Sequence, residues 1–100
     1  MSQASISLIG ENAFLVSGDL LFSTVGGLLE QAAPRLAAAQ GPVVDLASVV
    51  NCDTAGLALL IEWMSVCADN GQRLSFRNLP QAMVGIARLS NVESLLQLAE

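Results

Sequence analysis

Residues 53–61 read Asp53-Thr54-Ala55-Gly56-Leu57-Ala58-Leu59-Leu60-Ile61 and decide how the middle of this chain folds. They begin with a polar pair and continue as an apolar helical run. Upstream, Val43-Val44-Asp45-Leu46 is typical of a buried strand, and a polar loop connects the two stretches. This order predicts that Asp53 and Thr54 cap a helix and lie at its positive end. A phosphate, a carboxylate or a partner protein can be bound at such a position.

The composition predicts one small domain, residues 1–100, with little charge. Of the 100 residues, 53% are hydrophobic and 13% are charged, and the net charge is −5. So few charges indicate that a partner covers part of the surface. The four cations are arginines that form no run. Nucleic acid and anionic membrane surfaces are therefore poor candidate partners, because phosphate binding requires clustered basic residues.

Membrane insertion is not predicted either. Residues 1–5 lack the basic region of a signal peptide, and the longest apolar run, residues 55–61, is too short to span a bilayer. Cys52 and Cys67 have no zinc or redox spacing, which favours two reduced thiols in a cytosolic protein. Any membrane association is therefore expected to come through a partner.

The apolar spacing predicts the order ββαβαβα and an α/β fold, in which helices pack on a mixed sheet. The predicted strands are residues 5–9, 13–17, 42–46 and 73–77, and Gly18-Asp19 ends the second of them. Ser23 or Thr24 is expected to cap the first helix, which continues past Pro34. The second helix covers residues 55–69 and the third begins at Pro80. Residues 92–98 are predicted to form a last short helix or strand.

The second helix is predicted to be apolar on two faces. The face expected to pack on the sheet contains Leu57, Leu60, Ile61, Met64 and Ala68. The opposite face contains Ala55, Leu59 and Val66, with Trp63 at its flank and Glu62 within it. Either a neighbouring helix covers this second face, or the residues form a patch that binds another protein. A tryptophan beside aliphatic side chains is a common anchor in such patches.

No set of residues predicts catalysis, a cofactor or a metal site. Histidine, the usual general base, does not occur, and Cys52 has no base to activate it. Phosphate-binding motifs such as Walker A are also missing from the sequence. Asp45 is expected to bond backbone amides or to cap a turn. The Thr54 hydroxyl is expected near the surface, where a kinase could reach it, and a phosphate beside Asp53 would repel a partner.

Two stretches resemble the STAS-domain family. The family signature is a strand that ends in Asp-Leu, a short loop, and then Asp-Ser/Thr-x-Gly-Leu. Asp45-Leu46 and residues 53–57 occupy these places in the chain. Gly18-Asp19-Leu20 is similar to the family's Gly-Glu-Leu after its second strand. The element order agrees as well, so the resemblance covers nearly the whole chain and implies a STAS-like fold.

Within that family, the motif is most similar to the STAS subunits of Mla-type phospholipid ABC transporters. These typically read Asp-Thr-Gly-Gly-Leu-Ala-Leu-Leu, from which this chain departs at Ala55. The resemblance implies a non-enzymatic, cytoplasmic subunit, peripheral to the inner membrane, that binds the transporter's ATPase. It would support assembly and activity of the transporter in outer-membrane lipid asymmetry. Thr54, with Asp53 and Gly56 beside it, is the position that the resemblance marks as functional.

The expected contact residues combine this motif with the outer face of the second helix. They are Asp53, Thr54, Ala55, Gly56, Leu59, Glu62, Trp63 and Val66. The alternative function is that of an anti-sigma factor antagonist, the family branch in which the hydroxyl of the motif is phosphorylated. That branch carries serine where this chain has Thr54.

Overall fold

Within residues 4–96, which the computed structural model describes, four strands and three α-helices follow one another in the predicted order. The strands are β1 (Ser5–Gly10), β2 (Ala13–Leu20), β3 (Val43–Cys52) and β4 (Ser75–Arg77). The helices are α1 (Val25–Ala38), α2 (Thr54–Asp69) and α3 (Gln81–Leu89), and a 3-10 turn follows at Glu93–Leu95. The predicted α/β class and the ββαβαβα order are confirmed.

The strands form one mixed sheet in the order β1-β2-β3-β4. β1 and β2 are an antiparallel hairpin. β3 is parallel to both β2 and β4, because a helix crosses over between the members of each pair. As a result β2 and β3 end side by side, with Leu20 opposite Cys52. The carboxyl ends of these two strands, and the starts of α1 and α2 that follow them, lie at one edge of the sheet.

Alternate side chains of the sheet are buried, so one of its faces carries the hydrophobic core. In β2, for example, Phe14 and Val16 are buried, whereas the alternating residues Leu15 and Ser17 are half-buried. The helices complete this core, and α2 contacts both α1 and α3. The most deeply buried large side chains include Val16, Leu20, Leu36, Val44, Leu46, Leu60, Trp63, Leu74, Phe76 and Met83.

β2 and β3 extend well beyond their predicted ends. β2 continues through Gly18 and Asp19 to Leu20, and β3 continues beyond Leu46 to Cys52. Residues 47–52 include small and polar side chains, which are typical of a loop, but their backbone pairs with the end of β2. β4, in contrast, is shorter than predicted and pairs with residues 43–45 of β3. The predicted polar loop before α2 is therefore mostly strand.

The predicted faces of α2 are wrong in part. Leu59 and Trp63 are 3% and 0% exposed and belong to the core, whereas Ala68, which was expected to pack on the sheet, is exposed. Val66 is half-buried. The reason is that α2 contacts both α1 and α3. These helices also cover the face opposite the one predicted to pack on the sheet. The alternative of coverage by a neighbouring helix is right, and Leu59, Trp63 and Val66 do not form an exposed patch.

The remaining helix predictions are mostly confirmed. α1 continues past Pro34, and Pro80 is the residue that precedes α3. Thr24 precedes α1, but its hydroxyl does not cap the helix amides. Of the element predicted at residues 92–98, the 3-10 turn at Glu93–Leu95 is observed, and residues 97 and 98 lie outside the described residues.

Candidate protein-contact site

The Asp53 side chain connects the start of α2 to the loop that follows β2. One carboxylate oxygen accepts hydrogen bonds from the Ala55 amide at 2.8 Å and the Gly56 amide at 3.4 Å. These bonds cap α2, as the sequence predicts. The other oxygen accepts the Phe22 amide at 3.2 Å, and the Asp53 amide donates to the Leu20 carbonyl at 3.2 Å. Asp53 therefore holds the loop before α1 against the first turn of α2.

Thr54 is the first residue of α2 and is exposed. The prediction that it shares the capping role with Asp53 is wrong, because the cap is formed by the Asp53 carboxylate. The expected position of its hydroxyl near the surface is confirmed. A partner or a kinase can reach Thr54, while the amides of the helix start are already bonded to a carboxylate. A phosphate on Thr54 would add charge beside that carboxylate.

An apolar groove lies next to Thr54, between the starts of α1 and α2. Its volume is about 550 Å³, and its lining residues are Phe22, Val25, Gly26, Leu29, Thr54, Ala55, Ala58, Leu59 and Glu62. Phe22 is 87% exposed, although its backbone amide is bonded to Asp53. An exposed aromatic ring on an ordered backbone loses little conformational entropy on binding and is a common anchor for a partner protein.

The groove contains half of the predicted contact residues. Thr54, Ala55, Leu59 and Glu62 line it. Asp53 and Gly56 do not line the groove and shape the backbone of the helix start instead. Trp63 and Val66 lie outside the groove, and Trp63 is fully buried.

Sequence reasoning missed the residues that α1 and its preceding loop contribute to the groove. These are Phe22, Val25, Gly26 and Leu29. Val25 and Leu29 are four residues apart on α1, a spacing that by itself is typical of the buried face of a helix. Phe22 carried a usable signal, since it is a large apolar residue directly before the polar pair Ser23-Thr24. The groove itself depends on the placement of α1 beside α2, which residue spacing alone does not specify.

Gly56 allows α2 to approach β2 closely. A Cβ atom at this position would lie 2.7 Å from the Leu20 carbonyl oxygen and 2.9 Å from the Leu20 Cβ. Both distances are shorter than ordinary van der Waals contacts. The glycine of the motif is therefore a packing requirement, and it brings the start of α2 against the end of β2.

The surroundings of Cys52, Cys67 and Asp45 indicate that these side chains have structural roles. Burial raises the pKa of the Cys52 and Cys67 thiols, and at Cys52 the nearby Asp53 carboxylate raises the pKa further. A raised pKa lowers the thiolate fraction, so neither cysteine is an activated nucleophile. Asp45 accepts a backbone amide at 2.9 Å and an asparagine side chain at 3.0 Å, which confirms that it bonds a backbone amide.

Among residues 4–96, no group of three or more histidine, cysteine or acidic residues could hold a metal ion. None of the helices there has the length and apolar character needed to cross a membrane.

The mixed four-stranded sheet, the order of its elements and the motif at the edge shared by β2 and β3 define an α/β domain of the STAS type. The family model described as "Mlab, STAS domain" matches residues 11–97, and the chain belongs to that family. No curated protein sequence matches the chain.

Solved structures with the same fold include a chain of an Mla complex and an anti-sigma factor antagonist. A chain of the Acinetobacter MlaFEDB complex in an ATP-bound conformation is 22% identical, with a TM-score of 0.80, and the match covers 95% of this chain and 99% of that one. The anti-sigma factor antagonist SpoIIAA in its unphosphorylated form is 12% identical, with a TM-score of 0.65 and coverage of 97% and 87%. The phosphorylated form of the Bacillus SpoIIAA is 14% identical, with a TM-score of 0.65 and coverage of 97% and 91%. At these identities the likeness establishes the shared fold.

Proposed function

We propose that this domain is an accessory subunit that binds the cytoplasmic ATPase of an Mla-type phospholipid ABC transporter. It supports assembly and activity of the transporter in the maintenance of outer-membrane lipid asymmetry, without catalysing a reaction itself. The observation that carries the proposal is the apolar groove with exposed Phe22 and Thr54 at the edge where β2 and β3 end. Membership of the Mlab STAS family supports it. The subunit lies on the cytoplasmic side and reaches the membrane through the complex.

The groove is suited to an apolar segment of the ATPase with a basic group beside it. Phe22, Val25 and Leu29 offer apolar surface, and burying one large apolar side chain contributes about 1.5–3 kcal/mol. Glu62 is exposed in the lining, in a domain whose net charge is −5. A lysine or arginine of the partner opposite Glu62 would add complementary charge and speed association.

Replacing Phe22 with alanine is expected to weaken ATPase binding by about tenfold or more, because an aromatic anchor is removed. Leu89→Ala is the matched control, since Leu89 at the end of α3 is 88% exposed and Phe22 is 87% exposed. The measurement is titration of the purified ATPase with each variant, after circular dichroism has shown that the variants are folded. Equal affinities of wild type, Phe22→Ala and Leu89→Ala would contradict the placement of the contact in the groove.

A second function, that of an anti-sigma factor antagonist, is favoured by the exposure of Thr54 at the start of α2. The two functions predict different behaviour of this residue. A transporter subunit should lose affinity for the ATPase on Thr54→Ala, whereas Ser65→Ala on the exposed part of α2 should not. An antagonist should gain the mass of one phosphate on Thr54 when it is incubated with an anti-sigma kinase. If wild type and Thr54→Ala bind and activate the ATPase equally, the proposed role of Thr54 is wrong.

A further inference from the structure

We infer that Asp19 and Asn51 are positioning residues, which hold the two sides of the contact groove in a fixed relation. Asp19 lies at the end of β2, just before the loop that carries Phe22. Asn51 lies at the end of β3, just before Asp53 and Thr54. Neither residue lines the groove. For partner binding this inference rests on the proposed function, but its effect on the groove itself can be measured without any partner.

The pair forms a partly buried hydrogen bond between neighbouring strands, in which Asp19 is buried and Asn51 is exposed. Asp19 is 6% exposed, and its carboxylate accepts the Asn51 side-chain amide at 3.0 Å. The two residues are direct partners in the parallel register of β2 and β3. A carboxylate is costly to bury without hydrogen bonds, so the asparagine beside it offsets that cost and is not interchangeable with an apolar residue.

The bond lies where the backbone ladder between the two strands is interrupted. Gly18 is opposite Val49, but Asp19 is opposite Asn51, so that Val50 is an additional residue on β3. Such a bulge removes regular backbone bonds and bends the strand. The side-chain bond between Asp19 and Asn51 links the strands immediately after this interruption.

The backbone carbonyl of Asp19 also bonds to the loop that contains Phe22. The Thr24 hydroxyl donates to the Asp19 carbonyl at 2.6 Å and accepts the Leu21 amide at 2.9 Å. The loop that contains Phe22 is thus anchored at both ends to the end of β2. Because Asp19 joins this loop to Asn51, a change at the pair should shift Phe22 relative to Thr54.

The test exchanges the two side chains. Asn51→Asp places two carboxylates against each other, whereas Asp19→Asn combined with Asn51→Asp restores an amide donor facing a carboxylate. Amide hydrogen exchange at pH 7 is measured for Asp53, whose amide donates to Leu20, and for Thr24, whose amide donates to Leu21. The remote control is the Val92 amide, which donates to Ala87 after α3. Asn51→Ala serves as a second disrupting variant if Asn51→Asp does not fold.

The single variants are expected to speed exchange at Asp53 and Thr24 by about tenfold, the effect of losing one hydrogen bond to a buried carboxylate. Val92 should be unaffected, and the double variant should return towards wild type. Acceleration at all three amides, or no recovery in the double variant, would overturn the positioning role. If the wild-type domain binds the ATPase, the single variants should bind it more weakly, and the double variant should return towards the wild-type affinity. If it does not, the proposed function fails while the exchange result still decides the role of the pair.

Discussion

Replacing Trp63 with alanine is expected to lower the free energy of unfolding by about 3–5 kcal/mol, the usual cost of removing a large aromatic side chain from a core. Trp63 is fully buried within the core cluster. Since small domains are stable by about 5–15 kcal/mol, such a loss leaves the variant close to unfolding. Urea denaturation followed by far-UV circular dichroism measures the effect, because the substitution removes the tryptophan that fluorescence would report.

Trp63→Phe is the matched variant for this position. It keeps most of the apolar volume and removes the indole N–H, which has no hydrogen-bond partner among residues 4–96. We therefore expect a loss of about 1–2 kcal/mol and a folded domain. A stability of Trp63→Ala within about 1 kcal/mol of wild type would contradict its place in the core, given the usual cost of such a cavity.

The variants Trp63→Ala and Trp63→Phe together also test whether Trp63 contacts a partner. Lost ATPase binding by Trp63→Ala alone would reflect unfolding, not a removed contact. The folded Trp63→Phe variant should bind as wild type does, because Trp63 is 0% exposed and cannot touch another protein in the folded domain. Weakened binding by folded Trp63→Phe would instead favour the contact role predicted from the sequence.

Replacing Gly56 with alanine is expected to destabilise the domain by about 1–3 kcal/mol, the usual cost of overpacking. The added Cβ would meet the Leu20 backbone oxygen at 2.7 Å, and a backbone atom cannot move aside as a flexible side chain can. The start of α2 must shift away from β2, which also disturbs the bonds of Asp53 to the loop before α1 and to the first turn of α2. Urea denaturation measures the loss, and partner titration measures its consequence for the groove.

Gly27→Ala is the control for this substitution. Gly27 is an exposed helical glycine in α1, and a Cβ there would meet nothing within 4 Å. Alanine should therefore stabilise α1 by about 0.5–1 kcal/mol, because it is the better helix former. A Gly56→Ala variant as stable as Gly27→Ala would show that α2 does not need the close approach.

The start of α2 was predictable because its interactions are local in sequence. Asp53 bonds the amides two and three residues ahead of it, and such a cap is visible as a polar residue before an apolar run. The α/β class was predictable for a similar reason, since each helix or strand shows its own apolar period. The family resemblance of residues 53–57 adds to this reading.

The length of β3 was not predictable in the same way. Residues 47–52 combine Val49 and Val50 with small and polar side chains, and they remain extended because β2 runs beside them as far as Leu20. Pairing with a distant strand satisfies backbone groups whatever side chains are present. The predicted loop was therefore wrong where a long-range contact outweighed local composition.

By itself, the sequence determined the order of the elements, the cap at Asp53 and the exposed position of Thr54. Only the tertiary structure decided which face of α2 is covered, and it moved Leu59 and Trp63 from an expected surface patch into the core. It also placed Phe22 beside Thr54 at one groove. The physical reason is that a cap involves residues adjacent in the chain, whereas burial and grooves depend on how separate helices pack against each other.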